Sequence, residues 1–114
     1  AEDGAAKADE GPHEAIYFDL PEMLVNLNGT ARRANYLRVV VSLEVGGKED
    51  LARIEQVKPR IVDNFQLFLR ELRAEDLRGS AGMYRLKEEL LARANESAKP
   101  VPIKDVLFRE MLVQ

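Results

Sequence analysis

The 114-residue sequence predicts an α+β fold in two layers, an about three-stranded and mainly antiparallel sheet packed against two helices. Three observations carry this. The stretch Tyr36 to Val45 alternates strictly, with Leu37, Val39, Val41, Leu43 and Val45 on one side and Tyr36, Arg38, Val40, Ser42 and Glu44 on the other. Period two over that length is a strand with one greasy face. From Leu51 onward the apolar residues instead recur at threes and fours, the signature of an amphipathic helix. Glycine and proline punctuation then orders the elements as strand, strand, helix, helix, strand, which a sheet covered on one face by helices accommodates most economically.

Taken in chain order, residues 1–15 are small, acidic and broken by Gly4, Gly11 and Pro12, too poor in apolar surface to offset the entropy of ordering. They are expected to be a flexible linker, with residues 16–114 forming the folded domain. The first strand is expected over Tyr17 to Leu27. Phe18 and Leu20 share one parity and Met23, Val25 and Leu27 the other, with Pro21 between them. A proline inside a strand marks an edge or a bulge, and a bulge repairs this switch of parity. Asn28-Gly29-Thr30 is turn chemistry, and the loop runs on through Arg32, Arg33 and Asn35.

Gly46-Gly47 closes the second strand, and Glu49 and Asp50 suit the positive end of a helix dipole. The helical stripe is Leu51, Ile54, Val57, Ile61, Val62, Phe65, Phe68, Leu69 and Leu72, with Phe65 and Phe68 both expected in the core. Pro59 lies inside it and predicts either a kink or two abutting helices. Arg78-Gly79 reads as the exit. Ser80 is placed to cap a second helix over about residues 81–97, whose stripe is Met83, Leu86, Leu90, Leu91 and Ala94. Arg85–Glu89 and Glu89–Arg93 are four-apart pairs assigned to its wet side. Pro100 and Pro102 stop this helix. In the last strand Val106 and Phe108 lie on one parity and Met111 and Val113 on the other, and the pattern does not choose between them.

Composition narrows the function. Apolar residues make up 46% and charged residues 32%, with a formal charge of −3 and a pI of 5.3. A nucleic-acid-binding domain usually shows a basic footprint, which this chain as a whole lacks. There is no cysteine, which removes thiolate catalysis and disulfides. His13 is alone and sits in the acidic segment, so neither a metal site nor a Ser/His/Asp arrangement can be built around it. Adjacent carboxylates such as Glu49-Asp50, Glu75-Asp76 and Glu88-Glu89 point about 100° apart on a helix and do not converge as acid and base. Gly79-Ser80-Ala81-Gly82 resembles a phosphate loop only superficially and reads as a plain helix entry. No cofactor, metal or catalytic residue is expected, and no nucleic acid.

Two features suggest a contact surface instead. Leu67 points away from the stripe among Gln56, Arg60, Asp63 and Arg70, either to pack on the second helix or to join a docking surface. Arg70, Arg73 and Arg78 follow it, with salt bridges to Glu71, Glu75 or Asp76 as the simplest expectation and an acidic partner as the alternative. On the second strand, Tyr36 and Val40 beside Arg38 make a half-apolar outer face. The candidate partner-contact residues are therefore Leu67, Arg70, Arg73, Tyr36 and Arg38.

The blocks YFDLPEMLVNL, YLRVVVSLEV, KPRIVDNFQLFLRELRAEDLRGSAG and VLFREMLVQ, in this order and spacing over about residues 16–114, resemble the flagellar basal-body-associated FliL family. The stretch from Phe65 to Asn95 resembles its alphaproteobacterial members most specifically. The resemblance implies the periplasmic domain of a single-pass inner-membrane protein, with residues 1–15 as the end of a linker. Since the chain opens on Ala1 and holds no apolar run long enough to span a bilayer, the membrane helix is expected outside it. The resemblance further implies a likeness to stomatin-type scaffold domains, ring-like self-association, and association with the stator units of the flagellar motor, whose engagement or activity it supports without catalysis. A small-molecule or nucleic-acid binding module unrelated to the motor is the competing reading. RNA-binding sheets interleave exposed aromatics with basic residues, and here only Tyr36 and Arg38 fit.

Overall fold

The computed structural model describes residues 15–29 and 35–114. Its elements run β1 (Ile16–Asp19), β2 (Met23–Leu27), β3 (Asn35–Val45), α1 (Glu49–Leu69), a 3-10 turn (Ala74–Leu77), α2 (Gly79–Ser97) and β4 (Ile103–Val113). The fold is α+β as expected, an antiparallel sheet centred on β3 with both helices on one face. The expected acidic linker, His13, and the loop arginines Arg32 and Arg33 lie outside the described residues.

The sheet has four strands because Pro21 cuts the first in two. β1 and β2 lie end to end along one edge of β3, and β4 takes the other edge. Pairing runs from Ile16 with Val45 to Asp19 with Ser42, then resumes from Met23 with Val39 to Leu27 with Asn35. Residues 20–22 therefore oppose residues 40–41, one residue more on the outer strand, with Leu20 N–H donating to the Val41 carbonyl at 2.9 Å. That bulge turns Phe18 and Met23 to the same side despite their opposite parity.

The last strand resolves its ambiguity in the same way, twice over. Val113 and Met111 pair with Leu37 and Val39, Phe108 and Val106 with Val41 and Leu43, and Ile103 with Val45, with register shifts beside Val40/Val41 and Glu44/Val45. Arg109 and Lys104 are the extra residues. Both parities thus face the helices, with Ile103 and Val106 buried and Phe108 and Met111 half-buried against the core.

Over this face α1 buries Ile54, Ile61, Phe65 and Leu69, each worth about 1.5–3 kcal/mol of transfer free energy. It is one uninterrupted helix through Pro59 rather than two, and Pro59 sits on its exposed side. The helix ends at Leu69, short of the expected Leu72. The Leu72 carbonyl instead accepts from Asn28 N–H at 2.8 Å, tying the chain after α1 to the end of β2. Arg78-Gly79 is accordingly not the exit of α1 but the joint between the 3-10 turn and α2, where Gly79 takes a left-handed φ of +72°. Because α2 begins at Gly79 with no side-chain cap, Ser80 lies in its first turn and does not cap it. Leu86, Leu90 and Ala94 are buried as the stripe predicted, with Met83 and Leu91 half-buried.

Phe68 corrects the sequence reading. It is only half-buried, at the seam between the helices, where the Arg93 guanidinium lies 4.6 Å from its ring centre. Arg93 is equally not on a wet face. It binds Glu89 at 2.9 Å and donates to Asn64 Oδ1 at 2.8 Å, so it bridges α2 to α1. The companion pair Arg85–Glu89 does not form among the described residues. Asn95 plays a similar part toward the sheet. Its amide donates to the Leu91 and Ile103 carbonyls, both at 3.1 Å, and accepts from Ile103 N–H at 2.8 Å, standing in for a neighbouring strand where β4 begins.

Candidate functional site

The five candidate contact residues divide between two surfaces on opposite layers. Tyr36 and Arg38 belong to the outer face of the sheet, since the odd-numbered positions of β3 are consumed by the core. Leu67, Arg70 and Arg73 belong to the helical layer.

On the sheet, Arg38 is flanked across the strands by Leu24 and Leu112. Its guanidinium is clamped by the carboxylates of Glu22 and, at 3.3 Å, Glu110. The hydrogen bond to Glu22, then the nearby charge of Glu110, stabilise the cation and hold Arg38 above its ordinary pKa. So Arg38 is not a free basic contact, as its sequence position alone suggested. It is the centre of a triad with one carboxylate in excess. Leu24, Tyr36 and Leu112 stand exposed around it, and with Glu22, Arg38 and Gln114 they line a shallow depression of about 310 Å³. Leu24, 62% exposed, was missed although its place between buried Met23 and Val25 gives the needed signal.

Further along the same face Ser42 is fully buried despite pointing away from the helices. It donates to Asp19 Oδ1 and accepts from Arg109 Nε at 2.9 Å, while Arg109 lies 5.2 Å from the centre of the Tyr17 ring. This clasp joins β1, β3 and β4 on the outer side. The extra residue at the second half of β4 is what brings Arg109 over β3.

On the helical layer Leu67 is 54% exposed, so it does not pack on α2. Among the described residues, Arg70, Arg73 and Arg78 form no ion pair, and the expected bridges to Glu71, Glu75 or Asp76 are not made. Asp76 is used otherwise, accepting from Arg73 N–H at 2.9 Å to start the 3-10 turn. The Arg70 side chain donates to the Gln66 carbonyl, at 3.3 Å. A notch of about 220 Å³ opens between the helices beyond Phe68, floored by Leu72, Leu77 and Leu86. Gly82 lines it too, and a Cβ there would sit 2.7 Å from the Asp76 carbonyl oxygen, so this glycine serves close packing of the helix on the turn. Among the described residues, no three His, Cys, Asp or Glu side chains converge to hold a metal ion. Among the described residues no helix is long and apolar enough to cross a membrane.

A one-sided sheet with mixed apolar and charged residues on both outer surfaces defines a small two-layer α+β module. The family described as flagellar basal body-associated protein FliL matches residues 17–114, and the chain belongs to it. Over 110 residues it is 39% identical to the flagellar FliL proteins of two Caulobacter vibrioides strains, NA1000 / CB15N and CB 15, covering 96% of this chain and 54% of theirs. The flagellar protein FliL of Aquifex aeolicus is 27% identical over 104 residues, 90% of this chain and 64% of that one. The chain thus spans about half the length of the Caulobacter relatives. Family membership supports a role at the flagellar motor.

Proposed function

We propose that this domain is a non-enzymatic scaffold of the flagellar motor, which binds or encircles stator units and supports their engagement or activity. The observation that carries the reading is the family match across residues 17–114, nearly the whole of the chain. In this reading the domain lies in the periplasm, residues 1–15 link it to a single membrane-spanning helix outside the chain, and the anchored protein self-associates into a ring of stomatin-like build. What supports contact over catalysis is the presence of exposed tyrosines and arginines on rigid elements, residue types enriched at protein interfaces, beside exposed leucines that add apolar area. Carboxylates outnumber guanidiniums on the sheet face, where Asp19, Glu22, Glu44 and Glu110 accompany Arg38 and Arg109, and that balance favours a protein partner over nucleic acid.

The test is a deletion strain carrying a fluorescent stator subunit, tracked while medium viscosity is raised. The expected result is loss of swimming under load with fewer stators at the motor, restored by the full-length gene. Normal swimming and normal stator numbers at every viscosity refute the proposal.

A further inference from the structure

We propose that β1 is a shear clamp, the strand through which the domain withstands tension arriving along residues 1–15. This rests on the reading that those residues lead to a membrane anchor, and it assigns the part of the fold that bears the load.

The two ends of the folded chain leave the sheet in opposite directions. Ile16 opens β1 beside Val45, at one end of β3. Gln114 follows β4 at the other end, where it and Tyr36 exchange both backbone hydrogen bonds at 2.9 Å. β1 and β4 both run antiparallel to β3, on its two edges, so tension between these ends acts along the strands. Interstrand hydrogen bonds lie across that direction and are loaded together, instead of one after another as in a strand peeled from its end. Nor can β1 creep. Ile16 and Phe18 pack against the core while Tyr17 and Asp19 face outward, and a slip of one residue exchanges the two sets. The strand therefore stays in register until its bonds fail as a group.

The clasp on the outer side adds to that group. Ser42 is wholly buried on the face away from the helices, and its hydroxyl joins Asp19 of β1 to Arg109 of β4, the latter at 2.9 Å. Arg109 also lies over the Tyr17 ring, 5.2 Å from its centre. Both residues of β1 that point outward are thus fastened by side chains, as both that point inward are held by the core. Hydrogen bonds that involve a charged partner, as both bonds of Ser42 do, are the stronger kind. Where the strand ends, Leu20 is buried and its N–H donates to the Val41 carbonyl at 2.9 Å, so the hold extends up to Pro21.

Single-molecule force spectroscopy on the 114-residue chain tests this. The sequence has no cysteine, so thiol handles can be placed at chosen positions. Ala15→Cys with Gln114→Cys loads β1 in shear. Ala15→Cys with Gly46→Cys instead peels β1 from the Val45 end of β3, and a Cβ at Gly46 meets nothing nearer than 4.0 Å. At one constant force the sheared chain should outlast the peeled one at least about tenfold, since its barrier carries several hydrogen bonds at once and forced unfolding follows that barrier. Ser42→Ala should shorten the sheared lifetime about tenfold and the peeled lifetime less, so that the ratio between them falls. Arg109→Leu, at an exposed position, should lower the same ratio. A ratio unchanged by both substitutions overturns the part assigned to the clasp. Equal lifetimes in the two geometries overturn the clamp itself and leave standing the motor reading, which the deletion strain tests.

Discussion

Replacing Phe65 and Phe68 by alanine, one at a time, separates depth from mere periodicity. Both lie on the apolar stripe of α1, but Phe65 is wholly inaccessible and Phe68 is half-buried under Arg93. Truncating a closed core phenylalanine costs about 3–5 kcal/mol, because transfer free energy is lost and a cavity remains. At Phe68 the ring faces an open notch on one side, so water can fill the vacancy and the cavity cost largely disappears. About half the transfer term, roughly 0.75–1.5 kcal/mol, and a cation–π contribution of about 0.5–1 kcal/mol remain, together about 1.25–2.5 kcal/mol. A domain of this size has roughly 5–15 kcal/mol in total. Phe65→Ala therefore removes a large share of it, and Phe68→Ala leaves a folded protein. Urea melts followed by far-ultraviolet circular dichroism suit a chain without tryptophan. With a slope of about 1–3 kcal/mol per molar, the difference between the variants is a midpoint shift near 1 M. Equal midpoints for the two variants would refute the reasoning, as would a Phe65→Ala cost below about 1.5 kcal/mol.

Gly82→Ala should destabilise by about 1–3 kcal/mol through the clash with the Asp76 carbonyl, although alanine is intrinsically the better helix former; a raised melting temperature would contradict that packing. Asn95→Ala strands Ile103 N–H and takes one donor from the Ile103 carbonyl, while the Leu91 carbonyl keeps its helical partner, for about 2–3 kcal/mol and faster amide exchange at Ile103, and unchanged exchange would show that the bracket is not holding β4. Arg70→Glu with Arg73→Glu should leave the melting curve within about 0.5 kcal/mol of the parent while impairing motility or stator recruitment, since both side chains are exposed and unpaired among the described residues. Unimpaired swimming with normal recruitment removes this surface from the motor contact. In the proposed reading self-association depends on a membrane anchor, so this chain alone should sediment mainly as a monomer at micromolar concentration, and a discrete oligomer persisting below about 1 μM, corresponding to more than about 8 kcal/mol, would contradict that reading.

Much of the architecture was legible because it is recorded locally. Strict alternation from Tyr36 to Val45 identified both the central strand and its buried side. The parity switch across Pro21 announced a bulge, and the structure has one there with the extra residue on the outer strand. The spacing in α1 and α2 picked out Ile54, Ile61, Phe65, Leu86 and Leu90, all buried. In each case the backbone period dictates which side chains share a face, and only apolar side chains tolerate the dry one.

The tertiary structure decided what depends on partners distant in the chain. Whether Phe68 is core or seam turns on where α2 crosses α1, and whether Met111 or Phe108 faces inward turns on two bulges set by the register with β3. The same holds for the candidate surfaces. Sequence alone placed Leu67 and Tyr36 outward, because exposure follows from the period of a single element. It gave Arg38 no ionic companion and gave Arg70, Arg73 and Arg78 the wrong ones, because ion pairing is a matter of a few ångströms between side chains. Glu22, just before β2, and Glu110 of β4 reach Arg38 from either side, while Glu71 and Glu75, close in sequence, form no ion pair with Arg70 or Arg73. Periodicity specifies direction from one axis, whereas depth and charge compensation are properties of the distances between axes, which only the packed chain defines.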